Sequence, residues 1–175
     1  MKKILAFLLA VIVVLSFSGC MGATSSTPKV QEVTSPATTD EIAFTNYKNT
    51  LEGLCEYLAD LGFAYDIKPA TGDEAADPVV MKADIIGASK GYKFTYKYAG
   101  KTTVLELYEY TDRNTGFYNQ AQAGKITISE DIENGVVDVL LSSNGKYLMI
   151  YNDEAKNIDR EKMLTKAFTE FYGEE

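Results

Sequence analysis

A few short stretches of the chain carry residue types at spacings where chemistry could occur. Ser143-Asn144-Gly145-Lys146 sets a hydroxyl three residues before an amine. On a helix that spacing lets the Lys activate the Ser as an acyl-transfer nucleophile. Asp73-Glu74 with Asp77, and Asp131 with Glu133, group carboxylates, which glycoside hydrolysis needs when two of them face each other across a cleft. Asp112-Arg113-Asn114-Thr115-Gly116 has the first oxygen ligands of a calcium loop, without the second half of the set or its late Glu. Cys20 and Cys55 are the two thiols. The 175 residues include no His. That excludes a Ser-His-Asp triad, a Cys-His pair and any His-ligated metal site.

The elements that must position these groups argue against most of them. Asn144-Gly145 is a hairpin turn signal between two apolar runs, so Ser143 and Lys146 read as turn residues. Penicillin-binding proteins and class A β-lactamases carry Ser-x-x-Lys where a helix opens, and Lys101-Thr102-Thr103 resembles their Lys-Thr-Gly. Neither sits in that context here, and residues 41–175 are too few for that fold. Cys55 follows Leu51 by four residues on an apolar helix face, where a free thiol is a packing residue. Asp112 and Asn114, at a strand-to-helix junction, read as caps. The acidic pairs fall in loops and read as solvated.

The periodicities give the frame. Phe44, Tyr47, Leu51, Leu54, Leu58 and Leu61 recur at helical spacing, which predicts one long helix over 41–61. Thr39 or Asp40 would cap it and Gly62 would end it. Residues 63–77 read as a loop, and Asp77-Pro78 as the N-cap and first position of a short helix to about Ala88. Residues 92–98 alternate strictly, with Tyr92, Phe94, Tyr96 and Tyr98 on one face and Lys93, Thr95 and Lys97 on the other. Ala99-Gly100 turns into a partner strand over 103–110. A helix is expected over 111–124, strands over 125–130 and 136–143, and a hairpin through Asn144-Gly145 into 146–151. The closing helix, 158–172, carries Met163, Leu164, Ala167, Phe168 and Phe171 on one face. Hairpin followed by helix occurs twice, over 92–123 and 136–172.

This order predicts an α+β domain over 41–175: an antiparallel sheet of four to five strands with helices on one face. The chain has 12 Tyr and 8 Phe. Tyr92, Phe94, Tyr96 and Tyr98 are core residues if they face the helices. Facing outward they would instead make an aromatic platform for sugar rings or a partner protein. The absence of Trp, the best stacking ring, weighs against the platform.

The N-terminus reads as an address. Lys2 and Lys3 precede an unbroken apolar run over residues 4–15, too short to span a bilayer and suited to a signal peptide. Phe17-Ser18-Gly19-Cys20 follows and resembles the lipobox of a bacterial lipoprotein precursor, with Phe17 where Leu is usual. The resemblance implies diacylglycerylation of Cys20, cleavage between Gly19 and Cys20, and a signal peptide over 1–19. The residues alone leave two alternatives: an ordinary signal peptide cut near Ser18, or an uncleaved anchor. Residues 20–40, rich in Ser, Thr and Pro, read as a disordered tether.

The segments IGASKGYKFTY, LELYEY and NGKYLMIY with the final amphipathic helix also resemble a group of small lipoproteins of Gram-positive bacteria. That likeness spans about 81–172, rests on packing residues, and implies location but no activity. Net charge is −8, with Arg113 and Arg160 the only arginines, a balance that repels nucleic acid. The expectation is a protein held at the extracytoplasmic face of the cell membrane by lipid. Its domain would be a non-catalytic binding module for an envelope protein or small ligand, with no cofactor and no metal. The alternatives are an envelope hydrolase built on the paired carboxylates and a small solute-binding lipoprotein.

Overall fold

The computed structural model describes residues 31–33, 42–68, 77–128 and 135–172. In chain order they form β1 (Gln31–Glu32), α1 (Leu51–Asp60), β2 (Val79–Val80), β3 (Lys90–Tyr98), β4 (Lys101–Glu109) and α2 (Gly116–Gln122). Then follow β5 (Lys125–Thr127), β6 (Val136–Asp138), β7 (Leu140–Leu141), β8 (Tyr147–Asp153) and α3 (Ile158–Glu170). Single 3₁₀ turns lie at Phe44–Asn46 and Ala83–Ile86.

The six-stranded sheet runs β1-β3-β4-β8-β7, with β2 beside β3 on the same outer edge as β1. Every pairing in it is antiparallel except β1 with β3. β5 and β6 form a separate two-stranded sheet. The fold is α+β, as the order of elements predicts.

Alternation sorts the central strands into two faces. Tyr92 opposes Leu107, Phe94 opposes Leu105 and Tyr96 opposes Thr103. These side chains meet the apolar stripes of α1 and α3, and Leu54, Leu58, Phe94, Leu105, Leu164 and Phe168 are each fully buried between the layers. The opposite face carries Gly91, Tyr108 and Leu148 in one row. There a second apolar cluster forms with Ile86, Tyr118, Ala121 and Ile126. Helices therefore do not keep to one face. α2, the 3₁₀ turn at Ala83–Ile86 and the β5–β6 hairpin cover part of the second face, because Tyr118 and Ala121 give α2 a short apolar stripe of its own.

The long N-terminal helix expected over 41–61 is α1 alone. Thr50 resets the start: its Oγ accepts from the Gly53 N–H at 3.1 Å, a cap that satisfies a donor of the first turn. Lys48 folds against that turn so closely that a Cβ on Gly53 would strike its carbonyl. Phe44 and Tyr47 still pack on the core, but from a 3₁₀ turn and extended chain. Helical spacing marked which residues face inward and misjudged how they get there. At the other end Gly62, with φ of 74°, takes the left-handed C′ position, and Phe63 N–H returns to Leu58 O at 2.8 Å.

The helix expected after Asp77-Pro78 does not form. Val79 and Val80, β-branched, pair with Lys93 and Tyr92 at the sheet edge instead. The Asp77 carboxylate caps nothing, since it accepts from Tyr65 and Gln31. The helix expected over 111–124 begins only at Gly116, behind a Thr115 cap. The strand expected over 136–143 splits at Val139 into β6 and β7, which join different sheets. The two hairpin-helix halves are consequently unlike, since their helices pack on opposite faces. Residues 31–33, inside the expected tether, pair with β3: Gln31 and Glu32 lie opposite Tyr96 and Lys97, and Val33 N–H donates to Lys97 O at 3.0 Å. The remaining tether residues, the Thr39 and Asp40 caps and the signal peptide lie outside the described residues.

Candidate functional site

The Ser-x-x-Lys residues are turn residues. Ser143 Oγ donates to Thr169 O at 2.6 Å, while Lys146 Nζ donates to Asn49 O at 2.6 Å and lies 3.4 Å from Glu109. The Asn144 side chain organises the turn by accepting from Ser142 Oγ and from the Lys146 N–H. Hydroxyl and amine thus serve different elements and do not approach one another as a nucleophile and base would. Thr103, of the Lys101-Thr102-Thr103 run, is buried and donates to Asp153 at 3.2 Å.

Cys55 lies in the core at 1% exposure, and burial pushes its thiol well above the ordinary range, with Glu52 adding to it. Asp112 accepts from the Asn114 N–H at 2.9 Å, a local turn at the junction before α2. Among the described residues no three Cys, Asp or Glu side chains are grouped to hold a metal ion. Of the acidic pairs, Asp77 is placed: its Oδ1 accepts from Tyr65 Oη at 2.7 Å and its Oδ2 from Gln31 at 3.1 Å. Asp73, Glu74, Asp131 and Glu133 lie outside the described residues, as do Gly19 and Cys20. No helix among the described residues is long and apolar enough to cross a membrane.

The aromatic strand face is core, the reading that the need for helical cover favours, and not an outward platform. Phe94 and Tyr96 are fully buried, Tyr92 nearly so, and Tyr98 is half-buried against the same core. Their strand face meets α1 and α3, which supply the apolar stripes that cover it. Tyr92 keeps its hydroxyl satisfied by donating to Glu52 Oε1 at 2.9 Å.

Two arrangements were not evident in the sequence. The first is a buried cation. Arg160, 4% exposed, leaves the first turn of α3 and lies under the helix layer. Its guanidinium stacks 4.0 Å from the Tyr98 ring centre and 4.8 Å from that of Phe63, and Nη2 donates to Gly62 O at 2.6 Å. No ion pair among the described residues includes it. Burial raises the Tyr96 and Tyr151 hydroxyls against the opposing pull of Arg160. Its helical register beside Leu164 and Phe168 is a sequence signal for one of only two arginines in the chain, but nothing in the sequence pairs it with Phe63 or Tyr98.

The second lies on the other sheet face. Lys93, Thr95, Val104, Glu106 and Ile150 are partly buried and Asn152 is exposed there, on three adjacent strands, with Ile150 also packed against the second apolar cluster. At its centre Lys93 Nζ meets Glu106 Oε1 at 3.0 Å, with both side chains about 85% covered. Tyr108 Oη donates to the other Glu106 oxygen at 2.8 Å. Burial, then the adjacent Glu106 carboxylate, push the Tyr108 hydroxyl far up. The Lys93, Thr95, Lys97 alternation signalled this face; its cross-strand partners were not predictable.

Two concave features lie among the described residues. A groove of about 420 Å³ runs between Gln31 and Val33 on one side and Asp60, Gly62 and Tyr65 on the other. A second depression, about 560 Å³, follows the outer side of α3. The first also takes in Asp66 beside Asp60, and Tyr47 donates to Asp60; the second has Glu161 as the one carboxylate among its lining residues. Compared with family models, curated proteins and solved structures, the chain matches none.

Proposed function

We propose that the chain is a lipid-anchored lipoprotein of the extracytoplasmic membrane face whose domain is a non-catalytic interaction module, with the open half of the sheet as its contact surface. The location reading rests on Lys2-Lys3, the apolar run and Phe17-Ser18-Gly19-Cys20. The observation that carries the interaction reading is the Lys93–Glu106 pair set among partly exposed side chains of three paired strands. Sheet strands fix its side chains, so a partner meets a preorganised surface and orders little on binding. Ile150 and Val104 supply apolar area beside polar Thr95 and Asn152, the mixed composition of a non-obligate interface.

A photoreactive side chain at Ile150 in the full chain, expressed in cells, tests this reading. One discrete adduct is expected from Ile150, lost on Val104→Arg, and none from Val136 on the separate β5–β6 sheet. Equal labelling from both positions, or turnover of an envelope glycan by the purified chain, would overturn it. The anchor has its own test: Cys20→Ser should remove acylation and release the protein from membranes.

A further inference from the structure

We propose that the sheet edge formed by β2 and the following 3₁₀ turn rests on the membrane surface, through Val79, Val80 and Ile85. This rests on the lipoprotein reading above and deepens it by saying which side of the domain faces the lipid.

The three side chains are 58%, 60% and 55% exposed. A single exposed apolar residue is ordinary; here Val79 and Val80 leave opposite sides of one edge strand, so a surface that meets the edge end-on touches both, with Ile85 following in the next turn. The position of the tether names it. β1 pairs with the same outer edge of β3 as β2 does, and Gln31 donates to Asp77, two residues before Val79. β1 runs parallel to β3, with Gln31 opposite Tyr96. β1 therefore begins on the side of that edge toward Lys93, whose partner is Val79. An anchor at Cys20 is eleven peptide steps from Gln31, at most about 40 Å even when taut. The edge beside that attachment is held near the bilayer, and tethering turns a weak surface contact into an intramolecular one.

Chemistry fixes the depth. Among the described residues β2 pairs with β3 alone, so its outward backbone groups need hydrogen-bond partners, which headgroups and interfacial water provide and hydrocarbon does not. Val79, Val80 and Ile85 would dip to the headgroup–acyl boundary, with exposed Lys82 among lipid phosphates. Asp84 is exposed in the same turn, and the chain as a whole is acidic. The contact is therefore local and apolar, with no broad electrostatic adhesion behind it.

The test uses the full acylated chain, its acylation checked by mass, in phosphatidylcholine vesicles with and without phosphatidylglycerol. Cys55 is buried and Cys20 would be acylated, so Val80→Cys and Val136→Cys each offer one site for an environment-sensitive fluorophore. A nitroxide-bearing lipid should quench the Val80 label at least threefold more than the Val136 label, in both lipid compositions. Val79→Asp should cut quenching of a label at Ile85→Cys by at least half without shifting Tm. Equal quenching at both sites overturns the proposal. So does a Val80-to-Val80 crosslink between copies at the same yield without lipid, which would assign the edge to self-association. A chain whose mass shows no acyl groups fails the lipoprotein reading itself, a result separable from either.

Discussion

Arg160 and Lys93 are cations held on opposite faces of one sheet, and they are kept there by different means. Under α1 and α3, Arg160 is stabilised by the faces of Tyr98 and Phe63 and by the Gly62 carbonyl. On the open face, Lys93 has a carboxylate, Glu106, itself steadied by Tyr108. A guanidinium is weakly hydrated and planar, so rings can take the place of its water. An ammonium is compact and strongly hydrated, and it needs a full negative charge to leave water even in part. The covered face is thus organised by packing and the open face by charge. Only the second can be re-satisfied by an incoming partner.

Adjacent residues on β4 give the largest test of that contrast. Leu105 is fully buried and Val104 is only partly buried on the opposite side. Leu105→Ala should cost about 2–5 kcal/mol by lost transfer and residual cavity. Val104→Ala should stay within about 1 kcal/mol. Chemical denaturation of both variants reads the difference directly. Similar losses would mean that the open face is packed against something and is not a free surface.

Arg160 comes next. Arg160→Ala removes ring contact, the Gly62 hydrogen bond and the charge together, and should cost roughly 2–4 kcal/mol. Arg160→Met keeps most of the volume over Tyr98 without the charge. If packing dominates the covered face, Met should restore more than half of the loss, because buried ions replaced by apolar groups of similar size are often tolerated. A Met variant as unstable as the Ala variant would show that the charge itself, held by Gly62 and the rings, matters most.

The inward faces of the major elements were legible in the sequence, and their boundaries much less so. Strict alternation placed Tyr92, Phe94 and Tyr96 together, and the need to cover an apolar sheet put them inside. Helical spacing found Leu51, Leu54 and Leu58 correctly, yet it ran through Phe44 and Tyr47, which reach the same core without helix. A local cap at Thr50 decided the matter, and periodicity is blind to such caps. Asp77-Pro78 matches a helix start and predicts a helix through Val79 and Val80, whereas an open position on the β3 edge, a tertiary fact, makes them a strand. The contact surface was legible only as a polar alternation in β3. Its centre, Lys93 with Glu106, depends on strand register, and so do the pairing of Gln31 with Tyr96 and the stacking of Arg160.

The smallest expected effect concerns the ion pair itself. Glu106→Gln keeps the shape and leaves Lys93 without its charge partner and Tyr108 without its charged acceptor. Both side chains of the pair are about 85% covered, so the loss should exceed that of an exposed pair and reach about 1–2 kcal/mol. Removing both charges together, Lys93→Met with Glu106→Leu, should recover part of that loss, since neither charge then remains unpaired, while the Tyr108 hydroxyl still lacks its acceptor. The same double variant should lose the Ile150 crosslink, because the new surface is apolar where a partner would meet charge. Stability and binding would then part company at one site. On the covered face they cannot, because there every change of contact is also a change of packing.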